Sequence, residues 1–380
     1  MEMISNPIYV IVMLCLMVVA ALYVGKTKVG KQFGAALLVI IFTAVLANLQ
    51  LIPSASNSID LYDVIFKYVA PISIFYLLLN VNLTSIKKAG LPMIGLFVIG
   101  SLTTTAGIII SWLVLSPGDL LGEDGKVIAG MLTGTYTGGS VNFNAVALEY
   151  GFQKKGALYA GTIAVDNVIT TLWIVVTLTL PLFLNRWWKG KTPSSPVDSP
   201  AMDHNQEKEA IDLKGLSWLA FLGLGAYFIS ERIADFFPQI PSILIISTLG
   251  IILAQFKGVA NLKGSHSLGL YLVYIFLAVI GAYCELSAVS ELKAIGISLI
   301  LFTGFAVCLH GLLLVLIGGL IYRDWEMIAI VSQANIGGGT TAIALAENFN
   351  RKALILPAIL VGTLGNALGT YLGFLVVYLL

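Results

Sequence analysis

The chain has 380 residues, 58% of them hydrophobic and 11% charged, against roughly 25% charged residues in a soluble domain. A net charge of +1 gives no basic surface, which excludes nucleic acid as a partner. The three cysteines, Cys15, Cys284 and Cys308, lie in or beside apolar segments with no metal spacing and no disulfide framework, and they read as small core residues.

This is the pattern of an all-α polytopic membrane protein. Charges gather in short patches and leave apolar runs of about 20 residues, the length that crosses the hydrocarbon. Expected spans lie near 7–24, 33–52, 61–80, 91–115, 127–150, 156–184, 213–230, 240–256, 266–284, 294–321, 326–349 and 353–380. The first lacks a basic n-region and a cleavage site, so it reads as a retained span. Residues 185–212 (NRWWKGKTPSSPVDSPAMDHNQEKEAID) are polar and rich in proline and serine. They read as a solvent-exposed linker between a first repeat, 1–184, and a second, 213–380.

The two halves resemble each other. VIAGMLTGTYTGGS at 127–140 aligns at an offset of 200 with MIAIVSQANIGGGT at 327–340, NAVALE at 144–149 faces AIALAE at 342–347, and AGTIAVDN at 160–167 faces VGTLGNAL at 361–368. An internal repeat with a broken helix at corresponding positions, near 133–142 and 333–341, is the architecture of secondary transporters. Basic loops at 26–31, 87–88 and 154–155 alternate with acidic or neutral ones at 53–63 and 116–126, which places the N-terminus outside. Arg186, Lys189 and Lys191 then fall on the wrong side, and six spans per half make the repeats parallel. Inverted repeats suit the motifs better, which requires either that one span is a re-entrant element or a split pair, or that a further element escapes the hydropathy reading.

Two adjacent glycines inside a helix cost about 1 kcal/mol each relative to alanine, so Gly138–Gly139 and Gly337–Gly339 read as deliberate breaks. The first break carries Thr133, Thr135, Thr137, Ser140, Asn142 and Asn144; the second carries Ser332, Gln333, Asn335, Thr340 and Thr341. These are neutral oxygen and amide groups suited to a small hard cation, while half-helix N-termini suit an anion. Close helix packing by small residues is the alternative use, and the Thr103–Thr105 run takes that reading. Asp166 stands about ten residues into its span, and an intramembrane acid is a functional-site hypothesis by default. Asn167 beside it and Asn366 in the last span are candidates to complete a site. Glu149 and Glu347 sit beside Lys154 and Arg351 and suit interfacial ion pairing equally well. His310, alone in an apolar span, reads as a satisfied core histidine. Trp187–Trp188 and Tyr322–Trp325 read as interfacial anchors. Gly362, Gly365, Gly369 and Gly373 give the last span a face for close contact with a broken helix.

TGTYTGGSVNFNAVA, the following VDN, QANIGGGTTAIALAE and LPAILVGTLGNALGTYLG resemble the YjcL-like family of multi-pass membrane proteins of unknown function, over nearly the whole chain. That family is similar to bile acid/sodium symporters and sodium/proton antiporters. The resemblance implies a panel domain and a core domain with two discontinuous helices crossing in the core. The wider group's crossing positions fall on Thr137–Asn142 and Asn335–Thr341, and its antiporter acid falls on Asp166, although here the order is Asp166–Asn167 rather than Asp-Asp or Asn-Asp, which weakens the proton-exchange assignment.

The resulting expectation is a secondary transporter in a bacterial inner (cytoplasmic) membrane, sodium-coupled, carrying a small organic anion or zwitterion by alternating access. The ion and solute site comprises Thr135, Thr137, Gly138, Gly139, Ser140, Asn142, Asn144, Asp166, Asn167, Gln333, Asn335, Gly337, Gly338, Thr340, Thr341 and Asn366. Sodium is assigned to Thr137, Asn142, Asp166 and Asn335, and no other cofactor is expected. The partners are the solute and the lipid bilayer, with a homodimer as an admissible assembly. A sodium/proton antiporter using Asp166 is the alternative. An enzyme lacks paired aspartates or a zinc motif, and a channel or scaffold gives the two breaks less purpose.

Overall fold

A computed structural model describes residues 4–28, 30–81, 83, 87–190, 213–285 and 292–380. Most of the expected linker, 191–212, lies outside the described residues. Fourteen main helices can be followed among those described: α1 (Pro7–Val24), α2 (Gly30–Asn48), α3 (Asp60–Leu78), α4 (Leu91–Leu115), α5 (Asp124–Gly138), α6 (Ser140–Glu149), α7 (Gly156–Trp187), α8 (Leu213–Phe236), α9 (Ser242–Leu253), α10 (Ser265–Ala282), α11 (Leu292–Ile321), α12 (Trp325–Ile336), α13 (Gly338–Asn348) and α14 (Ile355–Leu379).

Eight of these are long and apolar enough to cross a bilayer: α1, α3, α4, α7, α8, α10, α11 from Ile295, and α14. Two more, α2 from Gly34 and α9, are apolar but shorter. The protein is therefore a membrane protein built from many apolar helices. The twelve expected spans resolve into eight long helices, two shorter ones and two helix pairs, α5–α6 and α12–α13.

Local chemistry sets the ends. Asn6 Oδ1 accepts from the Ile8 and Tyr9 amides at 2.9 and 3.3 Å, with Pro7 at the first helical position of α1. Asp324 caps α12 by accepting from the Met327 amide at 3.1 Å. Between α5 and α6 stands Gly139 at φ +93°, and between α12 and α13 the chain turns through Gly337 and Gly338, the latter at φ +79°. Side chains rarely adopt these conformations, so glycine permits the turns.

Each pair folds back on itself. A Cβ on Gly134 of α5 would lie 3.2 Å from the Asn142 backbone of α6, and one on Gly130 would lie 3.4 Å from Val146. A contact between residues 16 apart requires two helices side by side, because end to end they would be separated by about 24 Å. In the second pair Gln333 Nε2 donates to Thr341 Oγ1 at 3.1 Å across the turn. Ion pairs close both open ends: Lys155 Nζ to Asp124 at 2.5 Å, and Arg351 to Asp324 and Glu326, each at 2.8 Å. Glu149 and Glu347 are thus not the partners of Lys154 and Arg351, because Lys154 pairs with Asp63 at 3.0 Å.

α14 lies along the first pair through a seam of glycines. Gly365, Gly369 and Gly373 oppose Gly138, Gly134 and Gly130. A Cβ at Gly369 would come within 2.7 Å of Asn142 Cγ and of the Gly134 carbonyl, and one at Gly373 would come within 2.7 Å of the Gly130 carbonyl. The glycine face expected from the sequence therefore packs on α5, at a distance only glycine permits. α4 packs on α11 and α7 on α12, whereas α3 packs on α10, α1 on α2 and α8 on α9.

The loops sort to two ends. At one, Glu285 accepts from Ser54 Oγ at 2.7 Å and the Ser56 amide at 2.8 Å, and Lys154 meets Asp63. At the other, Gln255 bonds Val81 O at 2.8 Å and the Leu83 amide at 2.9 Å, and Trp325 Nε1 donates to Trp188 O at 2.8 Å. Trp325 is buried, so it is a packing residue that holds Trp188, not an exposed anchor; Trp187 is exposed. Cys308 is also exposed, which removes it from the expected core set.

Gly369→Val should overpack the seam and cost about 1–3 kcal/mol, read as a lowered unfolding temperature of the detergent-solubilised protein. Gly161→Ala, with nothing within 4 Å of the added carbon, should leave that temperature unchanged or raise it.

Candidate functional site

Beside the turn of the first pair is a cavity of about 270 Å³. Its polar lining comes from Thr135 at the end of α5, Ser140 and Asn144 on α6, and Asp166 and Asn167 on α7. Its apolar wall comes from α10, through Leu270, Val273 and Leu277, with Tyr274. Five residues singled out from the sequence therefore converge on one space. α6 starts at this space with no side chain capping its first turn, so its N-terminal dipole end faces the lining.

Asp166 is half-buried. Thr170 donates to its carboxylate at 3.4 Å, and the Tyr136 hydroxyl lies within electrostatic reach. Among the described residues no cationic side chain pairs with it. A carboxylate in that position is costly unless a proton or a cation shares it.

The remaining candidates take other places. Asn142 lies in the seam, donating to Gly365 O at 3.3 Å and accepting from Thr370 Oγ1 at 2.7 Å. Asn144 accepts from the Tyr159 hydroxyl, which fixes the amide at the cavity edge. Thr137 Oγ1 and Asn335 Oδ1 are fully buried and lack a hydrogen-bond partner among the described residues. Asn335 is held by its other atom, Nδ2, which donates to Ser101 Oγ at 3.1 Å. Leaving such oxygens unpaired costs about 1–3 kcal/mol each, and a hard cation is one way to satisfy them. Of the four assigned sodium ligands, Asp166 lines the cavity while Thr137, Asn142 and Asn335 do not, so the assigned set is not gathered around one point.

Both turns abut the same turn of α14. A Cβ on Gly365 would lie 2.9 Å from Gly138 Cα, and one on Gly362 would lie 2.8 Å from Gly339 Cα. Three residues separate these glycines, about 4.5 Å along the axis. Asn366 Oδ1 lies 4.0 Å from the position of a Cβ on Gly139, at the joint between the two turns. In the second pair Gln333 accepts from Thr177 Oγ1 at 3.1 Å and donates to Thr341. Gly337 packs within this bridge, Gly338 makes the turn, and Thr340 is exposed beyond it.

His310 is a fully buried, satisfied core residue. Its Nδ1 lies 3.1 Å from Gly100 O, which can only accept, so that nitrogen carries the proton. Nε2 then accepts from Ser332 Oγ at 3.0 Å, and Ser332 in turn accepts from Trp173 Nε1 at 3.0 Å. Thr103 and Thr104 surround the ring at 3.1 and 2.9 Å. Thr104 also reaches the Tyr136 carbonyl at 3.3 Å, so this network ties α11 to both helix pairs.

The sequence reading missed the residues that hold the site. Tyr159 fixes Asn144, Thr370 fixes Asn142 alongside the expected Gly365, and Ser101 fixes Asn335. Thr370 was legible in principle, one residue past the glycine of LGNALGT. The α10 wall is apolar and gives no chemical signal.

Asn142→Ala should strand the Thr370 hydroxyl and the Gly365 carbonyl and lower thermal stability by about 1–3 kcal/mol. Asp166→Asn, which keeps size and hydrogen bonding, should leave stability within about 1 kcal/mol of the parent. Equal losses in the two variants would remove the distinction between seam and cavity.

A family model described as protein of unknown function (DUF819) matches residues 10–380. The uncharacterized membrane protein YjcL of Bacillus subtilis (strain 168) is 28% identical over 379 residues, spanning 93% of this chain and 92% of its own. The match of that family model over almost the entire length makes this chain, a membrane protein of many apolar helices, a member of the DUF819 family of proteins of unknown function.

Proposed function

We propose that the protein is a secondary transporter working by alternating access, with sodium as coupling ion and a small zwitterion or organic anion as solute. The observation that carries this reading is the cavity itself. It joins Asp166 to the uncapped start of α6 and to neutral oxygen and amide groups, at a turn of backbone that a lipid-exposed chain could not tolerate. Asp166 attracts a cation or the ammonium of a zwitterion, and the α6 N-terminus attracts a carboxylate. Discontinuous helices in such carriers do this work at the bilayer midplane.

The architecture of the proposal follows from the fold-back of α5–α6 and α12–α13. If each pair is a re-entrant hairpin, each half has five crossings, and five is odd, so the second half is inverted relative to the first. The same step moves the linker. With the N-terminus outside, the side facing the cytoplasm receives Lys26, Lys28, Lys87, Lys88, Arg186, Lys189, Lys257, Lys263, Arg323 and Arg351, as the positive-inside rule requires. Lys154 and Lys155 move outside, where Asp63 and Asp124 neutralise them. In this arrangement α1–α3 and α8–α10 form the panel, and α4–α7 and α11–α14 form the core carrying both hairpins. The cavity lies between α6 and α7 of the core and α10 of the panel, the boundary that moves.

A sodium/proton antiporter is the second reading. It is favoured by one observation, that the acid lining the cavity has no cationic partner among the described residues. A pH gradient would then drive sodium movement with no organic solute present.

Two measurements test these proposals. Tyr150→Cys at the base of the first hairpin should react with an impermeant thiol reagent from outside, and Asn348→Cys at the base of the second only from the cytoplasmic side. Labelling of both from one side would contradict inversion. Asp166→Asn should abolish sodium-dependent uptake in proteoliposomes while the protein still folds; unchanged sodium dependence would sink the role of Asp166.

A further inference from the structure

A second cavity, of about 340 Å³, lies at the end of the bundle that carries Asp63 and Lys154, away from the Asp166 site. It separates the foot of the first helix pair from α3, α8 and α9. Its charged lining is Asp63, Lys67, Glu149, Lys154 and Glu231, and Gln153, Ser242 and Tyr227 add neutral polar groups. Lys154 is engaged by Asp63. Glu149, from the foot of α6, and Glu231, from α8, repel each other across the space, and among the described residues neither has a cationic partner. A third observation points to a ligand. Gln153 is 6% exposed, lines the same cavity, and its Oε1 has no hydrogen-bond partner among the described residues. An orphaned acceptor lining the same space as two unpaired carboxylates favours a donor that carries positive charge.

We propose that this cavity binds an alkylammonium group, its N–H donors shared among Glu149, Glu231 and Gln153 Oε1. The size and the apolar part of the wall select this class. The volume lies in the range of small-molecule sites, and Phe66 and Tyr227 line it with aromatic rings that favour an organic cation. A bare divalent ion needs six or more oxygen ligands gathered around one point, and among the described residues no three acidic, histidine or cysteine side chains come together closely enough to hold a metal ion. The site bridges the first helix pair and α8, so an occupant holds these elements together at this end. The inference does not depend on the transport assignment.

The test is thermal unfolding of the purified full-length protein titrated with n-propylammonium chloride, against sodium chloride at equal ionic strength and against calcium chloride. A saturable upward shift of a few degrees with n-propylammonium is expected. It should disappear in the Glu149→Gln/Glu231→Gln double variant, weaken in Gln153→Met, and persist in Asp166→Asn. Should the double variant fail to fold, Gln153→Met and single Glu231→Gln carry the same reading. The proposal is overturned by a shift no larger than that of sodium chloride, by a shift equal in the variants and the parent, by loss of the shift in Asp166→Asn, or by a larger saturable shift with calcium.

Discussion

A backbone that turns inside a membrane must bury its unpaired amides and carbonyls, because hydrocarbon offers them no partner. In the proposed arrangement that constraint falls on Gly139 and on Gly337–Gly338, and much of the packing answers it. α14 presents Gly362, Gly365, Gly369 and Gly373 so that its backbone reaches both turns without an intervening side chain. Gly130, Gly134 and Gly138 remove the side chains from the opposite wall. Asn142 fills the seam, spending both polar ends on α14, and Thr177, Gln333 and Thr341 form the corresponding bridge in the second pair. The cost of each turn is thereby offset by a fixed set of neighbours, and the turn becomes a rigid wall for the cavity rather than a weak point.

The same arrangement separates groups that hold from groups that are left available. Asn142, Gln333, Ser332 and His310 are fully engaged, and their chemistry is consumed by the structure. Asp166 and Ser140 line open volume, and Thr137 Oγ1 and Asn335 Oδ1 are buried with no hydrogen-bond partner among the described residues. A polar side chain inside a membrane is therefore not by itself a ligand. What distinguishes Asp166 is the absence of a cationic partner among the described residues, together with a cavity to face.

The sequence made the membrane class legible, since apolar runs between charged patches have few other uses, and the paired glycine motifs located both turns to within a residue or two. Asp166 was legible because an acid is costly ten residues into a span. The fold-back of each pair was not, because α5 and α6 carry the same residue types whether they continue or reverse, and reversal depends on contacts such as Gly130 with Val146. The separation of Asn142 from Asn144 was not legible for a related reason. Both lie on α6 with similar neighbours, and only the position of α14 decides that one faces the seam and the other the cavity. The α10 wall could not be read at all, since Leu270, Val273 and Leu277 look like any lipid-facing or core positions.

The central claim is that the elements bearing the two turns move against α1–α3 and α8–α10 around Asp166. The most direct measurement places spin labels at Tyr150, at the foot of the first pair, and at Arg232 on α8, both exposed, and records their distance distribution in lipid with and without sodium. The account predicts two populated distances whose ratio changes with sodium when Asp166 is present and does not change in Asp166→Asn. A single distance, the same with and without sodium, would contradict it.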